Sequence, residues 1–195
     1  MKSKIHEYQN AILTMSKTIS FIFLATLLLL GCSKNDEPSK APIDQLPPAT
    51  QVGANKVGCL VNGEVFLPQG SNPLGPPIVT CFYQFVNNAW YFSLGYSNNQ
   101  QDRLRNLRIV SKAVVIQLNQ TYPLILQNDG NFSASYSKFA VFEYNTTNDI
   151  KGELKITKLD QTNAIISGTF WFDAANNAGE IVKITEGRFD MKYSQ

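Results

Sequence analysis

The sequence is poor in charge and in histidine. Only 16% of its 195 residues are charged, the formal net charge is +2, and the one histidine is His6. Proteins that bind duplex nucleic acid concentrate Lys and Arg in order to neutralise several phosphates. The near balance of charge therefore argues against a nucleic-acid partner.

The chain also lacks a hydrophobic run long enough to span a membrane as a helix. Its longest apolar run, residues 19–30, has 12 residues, whereas a spanning helix needs about 20. Lys17 precedes this run and the small residue Gly31 follows it, just before a cysteine, which is the form of a secretory signal peptide. We therefore predict that residues 1–31 are a signal peptide, with Met15 as an alternative translation start.

The end of this segment is more specific. Leu29-Leu30-Gly31-Cys32 resembles the lipobox of bacterial lipoproteins. The resemblance implies that Cys32 carries lipid, including palmitate, and becomes the first residue of the mature chain; the alternative is a buried helix with a chance Gly-Cys. Residues 32–50 are rich in Pro, Ser and charge, which predicts a lipidated flexible tether.

Residues 33–37 follow the lipid site with the sequence Ser-Lys-Asn-Asp-Glu. They are similar to the acidic export signal of surface lipoproteins of the Bacteroidota. This similarity implies an outer membrane location at the cell surface, and the alternative is an ordinary solvated linker.

Removal of residues 1–31 changes the composition. The remaining 164 residues hold 14 basic and 14 acidic side chains and no histidine. Nucleophilic catalysis of the Ser-His-Asp or Cys-His kind, zinc sites that use histidine and a histidine-based pH switch are thereby excluded.

Cysteine is also scarce. With Cys32 assigned to lipid, Cys59 and Cys81 remain in an exported chain, and an oxidising compartment predicts a disulfide between them. Such a bond closes a 23-residue loop and stabilises by about 3 kcal/mol in the chain-entropy model. The alternative is two buried free thiols on neighbouring strands.

Beyond the tether the pattern is that of short strands. Asn62-Gly63 and Asn87-Asn88 each separate two β-rich runs, as in hairpins, and Asn62-Gly63 favours a type I′ turn. Further runs follow, including residues 113–118, and residues 187–193 alternate polar and apolar so that Phe189, Met191 and Tyr193 face a core. We predict one all-β domain over residues 51–195, an antiparallel β-sandwich, with an up-and-down, lipocalin-like β-barrel as the alternative.

Short sequence segments at both ends of this domain resemble those of an uncharacterised family of Bacteroidota lipoproteins with a domain of unknown function. The residues that carry the resemblance are 46–55 with 58–64, Ser167-Gly168-Thr169-Phe170, and 186–190. The resemblance implies a secreted, lipid-anchored β domain and supplies no activity and no catalytic residues.

Two groups of side chains are candidates for ligand binding. Trp90 and Tyr91 belong to an aromatic-rich hairpin and point to opposite faces, so at most one of them is buried. Arg103, Arg105 and Arg108 crowd one polar segment and suit an anionic partner such as a polysaccharide. The alternatives are core packing for the rings and a solvated loop for the arginines.

Without histidine, acid–base catalysis would depend on carboxylates. The candidates are Glu64, Asp160, Asp173, Glu180, Glu186 and Asp190. No spacing pairs two of them as a glycosidase requires. One loop has oxygen-bearing side chains of the kind that calcium accepts, but its composition also fits an ordinary hairpin turn. These side chains are those of Asp173, Asn176, Asn177 and Glu180. We predict no cofactor.

These observations favour a non-enzymatic lipoprotein that binds a glycan or an envelope protein. A small carboxylate-dependent glycan-active enzyme and a lipocalin-like carrier of small ligands are the alternatives. A cleft with two facing carboxylates would favour the enzyme, and an aromatic-lined cavity would favour the carrier.

Overall fold

The computed structural model describes residues 40–71, 75, 77–100, 104–139 and 141–195. The predicted signal peptide, the lipidation site Cys32, the alternative start Met15 and the candidate Arg103 lie outside the described residues. Within these residues, no helix is long and apolar enough to cross a membrane.

The described residues from Lys40 onward form one compact unit of β-strands. A short 3-10 helix, Pro42–Gln45, precedes the strands. The strands are β1 Lys56–Val61, β2 Glu64–Phe66, β3 Val79–Val86, β4 Ala89–Asn98, β5 Arg105–Lys112, β6 Thr121–Leu124, β7 Phe132–Lys138, β8 Phe142–Asn145, β9 Gly152–Asp160, β10 Ile165–Ala175 and β11 Ile181–Lys192. The prediction of an all-β fold is confirmed.

All eleven strands belong to one sheet, in the order β2-β1-β11-β10-β9-β6-β7-β5-β4-β3, and β8 pairs with both β7 and β10. Strands β6 to β10 therefore form a closed ring of five. The sheet closes a second time between β3 and Ser194, which follows β11. Tyr83 N donates to Ser194 O at 3.0 Å, and Ser194 N donates to Cys81 O at 3.0 Å.

This single closing sheet differs from the two separate sheets of the preferred sandwich and lies nearer to the barrel alternative. The physical reason is the length and bending of the last strands. Strands β10 and β11 have 11 and 12 residues, and their register shifts at a bulge between Phe170 and Phe172. Bulges increase local twist, so one strand reaches different neighbours along its length.

The core lies on the concave face of this sheet and is filled with side chains. Phe66, Leu94, Ile109, Ile156 and Phe172 are each no more than about 1% exposed, and they come from five different strands. The alternation predicted at the C-terminus is confirmed, since the three apolar side chains of residues 189, 191 and 193 are all buried. A packed interior leaves the outer faces and the barrel ends as places for a ligand.

Both predicted hairpin turns have the positive φ values that a type I′ turn requires. Asn62 and Gly63 have φ of 50° and 83°, and Asn87 and Asn88 have φ of 50° and 62°. In contrast, the strand predicted for residues 113–118 is wrong. Ala113 turns the chain with φ of 62°, and Ile116 N donates to the Tyr83 hydroxyl at 2.9 Å instead of to a neighbouring strand.

The folded unit begins earlier than residue 51, because residues 40–50, which were assigned to the predicted tether, belong to the same compact unit as the strands. Leu46 is 7% exposed, and Thr50 donates its hydroxyl to Asp190 at 2.6 Å. The backbone amides of Val52, Gly53 and Ala54 donate to the same carboxylate at 3.0, 2.8 and 3.1 Å. This segment covers Asp190, which the alternation alone places on the outer face.

The predicted disulfide is also not formed, because Cys59 and Cys81 are free and buried. They lie on β1 and β3, which are not adjacent in the sheet. Cys59 Sγ instead accepts a hydrogen bond from the Tyr96 hydroxyl at 3.0 Å. Burial raises the pKa of each thiol to about 12, so both are neutral.

Candidate functional site

Trp90 and Tyr91 lie on opposite faces of β4, as strand alternation requires. The Trp90 ring stacks on Tyr83 with 4.5 Å between centroids and packs against the core. Tyr91 lines a groove on the outer face of β3, β4 and β5. Of the two rings, Tyr91 is therefore the one available to a ligand.

The described arginines of the predicted cluster separate in the same way. Arg105 and Arg108 are both part of β5 and not of a loop, and three residues along a strand place them on opposite faces. Arg105 is 9% exposed and points inward, whereas Arg108 is exposed on the outer face beside Tyr91. They do not form one patch.

The outer groove, here called the Tyr91 groove, has a volume of about 690 Å³. Its floor is the pleated outer face of three paired strands and its wall is the loop between β6 and β7. The side chains that give it chemical character are those of Phe82, Tyr91, Arg108, Lys112, Gln127, Asn128, Asp129 and Asn131.

The strand pairing explains why these side chains meet. Phe82 pairs with Ser93, and Ser93 pairs with Val110, so alternate residues of three strands form rows across one face. Arg108 Nε lies 3.5 Å from Ser93 Oγ, which holds the guanidinium along this row. The result is two aromatic rings and two cations on one rigid surface.

The wall of the groove is tied to its floor. Gly130 N donates to Lys112 O at 2.8 Å. Within the wall, Asn131 Nδ2 donates to Leu126 O at 2.8 Å. Lys112 Nζ lies 2.7 Å from Asp129 Oδ2. The hydrogen bond from Lys112 to Asp129 raises the pKa of this lysine, so it is charged at neutral pH, and Arg108 provides a second positive charge.

Sequence reasoning identified Tyr91 and Arg108 but not the amide side chains of the wall. Residues 128–131 read Asn-Asp-Gly-Asn, a composition typical of any turn. Their position beside Tyr91 depends on the long-range pairing of β5 with β7, for which the local sequence carries no signal.

A second groove, of about 640 Å³, lies on the outer face of β9, β10 and β11 and was not predicted. It is lined by Trp171, which is 45% exposed and whose indole Nε1 donates to Glu153 at 3.3 Å. Glu186 also lines it and pairs with Arg188 at 3.3 Å. Each carboxylate in this groove is thus held by its own donor.

The predicted pool of carboxylates is dispersed and locally bonded. Asp160 accepts hydrogen bonds from Asn163, which lower its pKa. Burial on its own raises the pKa of Asp190, but its five hydrogen bonds outweigh burial and lower the pKa from 3.8 to about 2. Neither carboxyl is protonated at neutral pH, so neither suits a general acid.

The candidate calcium residues do not converge. Asp173 pairs with Lys183 at 3.0 Å. Asn176 Oδ1 accepts from the backbone amides of Ala178 and Glu180 at 3.0 and 2.9 Å, and Asn176 Nδ2 donates to Glu180 Oε2 at 2.8 Å. These bonds close a hairpin turn. In the described part of the chain, no group of three or more Cys, Asp, Glu or His side chains is arranged to hold a metal ion.

Comparison with known families gives a match over part of the chain. Residues 96–191 match a family described as a domain of unknown function, DUF6252. The matched segment starts near the end of β4 and stops in β11, so it contains Arg108, Lys112 and the wall of the groove but not Tyr91. No curated protein and no solved structure matches the chain.

Proposed function

We propose that this protein is a lipid-anchored lipoprotein of the outer membrane, exposed at the cell surface, that binds an anionic saccharide in the Tyr91 groove without catalysing a reaction. The observation that carries the proposal is the placement of two aromatic rings beside the exposed Arg108 and the Lys112–Asp129 ion pair in one groove. The lipid anchor rests on the likeness of residues 29–32 to a lipobox.

The chemistry of the groove suits such a ligand. An aromatic face packs against the apolar face of a sugar ring, and the hydroxyl of a tyrosine adds a polar contact. The fork of an arginine binds a carboxylate or sulfate with two parallel hydrogen bonds. Side-chain amides both donate and accept, which matches sugar hydroxyls.

A binding role is preferred to catalysis because of the state of the nearby carboxylate. Asp129 is the one carboxylate among the described lining residues, and it is bound to Lys112 at 2.7 Å. Glycoside hydrolysis uses a pair of carboxyl groups on either side of the bond. The groove therefore offers recognition groups and no second acid.

The anchor is tested first. Cells that express the chain are labelled with palmitate, and Cys32→Ser is compared with wild type. We expect label and membrane association in wild type and neither in the variant. Label retained by Cys32→Ser would contradict the anchor.

Binding is tested with polygalacturonate, chondroitin sulfate and neutral dextran on a surface-binding assay. We expect the two anionic polymers to bind and dextran not to bind. Tyr91→Ala and Arg108→Gln should each weaken binding about tenfold, the loss of one stacking contact or one charge-assisted hydrogen bond.

Trp171→Ala is the comparison variant, because Trp171 is exposed on the other groove. If this change abolishes binding while Tyr91→Ala does not, the proposed site is wrong. Release of shortened saccharides from the polymers would contradict the non-enzymatic assignment.

A further inference from the structure

Arg105 lies on the inward face of its strand, where an apolar residue is usual. It shares the inward face of β5 with Leu107 and Ile109, which are 1% and 0% exposed. Its guanidinium carbon lies 5.0 Å from the centre of the Phe66 ring. Arg105 itself is 9% exposed, and its Nε is buried without a hydrogen-bond partner among the described residues.

A buried charge is costly unless it is paired and hydrogen-bonded. In the described part of the chain, no Asp or Glu oxygen lies within 4.0 Å of Arg105. The ring of Phe66 supplies a cation–π contact. Such a contact offsets only part of the cost of removing an ion from water.

The polar groups near Arg105 do not supply the missing negative charge. Burial raises the pKa of Tyr136, and the neighbouring Arg105 lowers it by less. Burial also raises the pKa of Tyr96 well above 10 and that of the Cys59 thiol to about 12. All three groups are therefore neutral at physiological pH.

Arg105 lines a small pocket at one end of the closed sheet, here called the mouth pocket, with a volume of about 220 Å³. The pocket is formed where β2 and β5 begin, β7 ends and β11 begins, and Arg105 pairs in register with Lys138. The side chains that define it are those of Glu64, Arg105, Tyr136, Lys138, Tyr144 and Val182.

The charges that line the mouth pocket do not cancel. Arg105 and Lys138 are cations and Glu64 is the one described anion, so the lining carries a net charge of +1. Tyr136 adds a hydroxyl beside the guanidinium, and Val182 adds an apolar wall. A group with one negative charge and two coplanar oxygens matches both this charge and the arginine fork.

We propose that the mouth pocket binds a small monocarboxylate, or the carboxylate end of a longer ligand, through Arg105. The oxygens of the carboxylate accept hydrogen bonds from the Arg105 guanidinium, and Lys138 supplies the second cation. A phosphate monoester is disfavoured because its charge approaches −2 at neutral pH, which exceeds the net charge of the lining. This site lies on the inner face, so it is separate from the Tyr91 groove.

The test uses the full chain labelled with nitrogen-15 in arginine, because the Nε–H resonance reports directly on the guanidinium. The probes are sodium acetate, sodium benzoate and inorganic phosphate, each against sodium chloride of equal ionic strength. We expect a saturable shift of the Arg105 resonance with acetate and benzoate, and a weaker response to phosphate.

Three variants make the test specific. Arg105→Met should raise the Kd for acetate about tenfold or more, the loss of charge-assisted hydrogen bonds. Arg105→Lys keeps a charge without the fork and should give an intermediate Kd. Arg188→Met is the matched control, since Arg188 lies on another face and pairs with Glu186, and it should leave the Kd unchanged.

Asp102, three residues before Arg105, lies outside the described residues, and Asp102→Asn asks whether the chain supplies its own anion. We expect this variant to bind acetate as wild type does. If wild type shows no saturable shift and Asp102→Asn shows one, a carboxylate of the chain itself occupies the pocket, and the proposal is wrong. Tighter binding of phosphate than of acetate would overturn the choice of carboxylate.

Discussion

Replacement of Asp190 by Asn tests whether one buried carboxylate holds the start of the folded unit onto the sheet. Asp190 is 1% exposed and accepts five hydrogen bonds, at 2.6 to 3.1 Å, from Thr50, Val52, Gly53, Ala54 and Ser167. The Asn side chain has the same shape, but its amide group turns one acceptor into a donor. That donor then faces N–H and O–H groups that also donate.

The pKa shift sets the size of the effect. The hydrogen bonds lower the pKa of Asp190 from 3.8 to about 2 despite its burial. At 1.36 kcal/mol per unit, this difference corresponds to about 2 kcal/mol of folding free energy at neutral pH. Mismatched donors add the cost of an unsatisfied buried group, about 1–3 kcal/mol. We expect Asp190→Asn to lower the free energy of unfolding by about 3–5 kcal/mol.

The pH dependence gives an independent check with a definite sign. Because the folded-state pKa is below the unfolded one, the contribution of the charge is fully present above about pH 4–5 and is lost as the pH falls toward 2. Urea denaturation followed by tryptophan fluorescence at several pH values measures it. The gap between wild type and Asp190→Asn should narrow as the pH falls below 4.

Asp173→Asn is the control, because Asp173 makes an exposed ion pair with Lys183 and such pairs contribute at most about 1 kcal/mol. Equal costs for the two variants, or a gap that does not change between pH 5 and pH 2.5, about the range of this titration, would refute the reasoning about Asp190.

Three further predictions concern the core. Burial raises the pKa of Cys59 and Cys81 to about 12, so iodoacetamide at pH 8 should label neither thiol in the folded chain. Both thiols should be labelled after unfolding without reductant. If mass spectrometry finds no adducts on these two residues after unfolding, they form a disulfide and the prediction of free thiols is wrong. Thr146→Val removes a buried hydroxyl that donates to Ile125 O at 2.7 Å and accepts from the backbone, and should cost about 1–3 kcal/mol in urea denaturation; a neutral effect would contradict its bonding role. In Gly168→Ala the new Cβ would overlap the carbonyl oxygen of Lys155, so the same assay should show a loss of about 1–3 kcal/mol or more. Wild-type stability of this variant would contradict that close approach.

Local signals in the sequence were sufficient for most of the strands and for both tight turns. Asn-Gly and Asn-Asn mark turns because these residues adopt positive φ at low cost, and alternation along β11 identified its buried side. Residues 113–118 show the limit of such signals. Their apolar pattern is that of a strand, but Ile116 serves as a core side chain on an irregular segment bonded to Tyr83.

The candidate sites depended on information that no local pattern holds. The local sequence does not distinguish Arg105 from Arg108. Strand alternation along β5 places Arg105 on the inner face, at the mouth pocket, and Arg108 on the outer face, in the Tyr91 groove. Trp171 lies in an apolar run, and only the pairing of β9 with β10 places it beside Glu153 on an outer face. Register, more than composition, decides which side chains can meet a ligand.

The hydrogen bonds to Asp190 also change what the proposed anchor implies. Because the compact unit begins at Lys40 and not at residue 51, only residues 33–39 separate it from Cys32. Seven extended residues span at most about 25 Å, whereas the 18 residues of the expected tether reach about 60 Å. A lipid on Cys32 therefore keeps the start of the β domain within about 25 Å of the membrane surface. The proposed anchor and the proposed saccharide site together predict a ligand that lies within reach of the membrane surface.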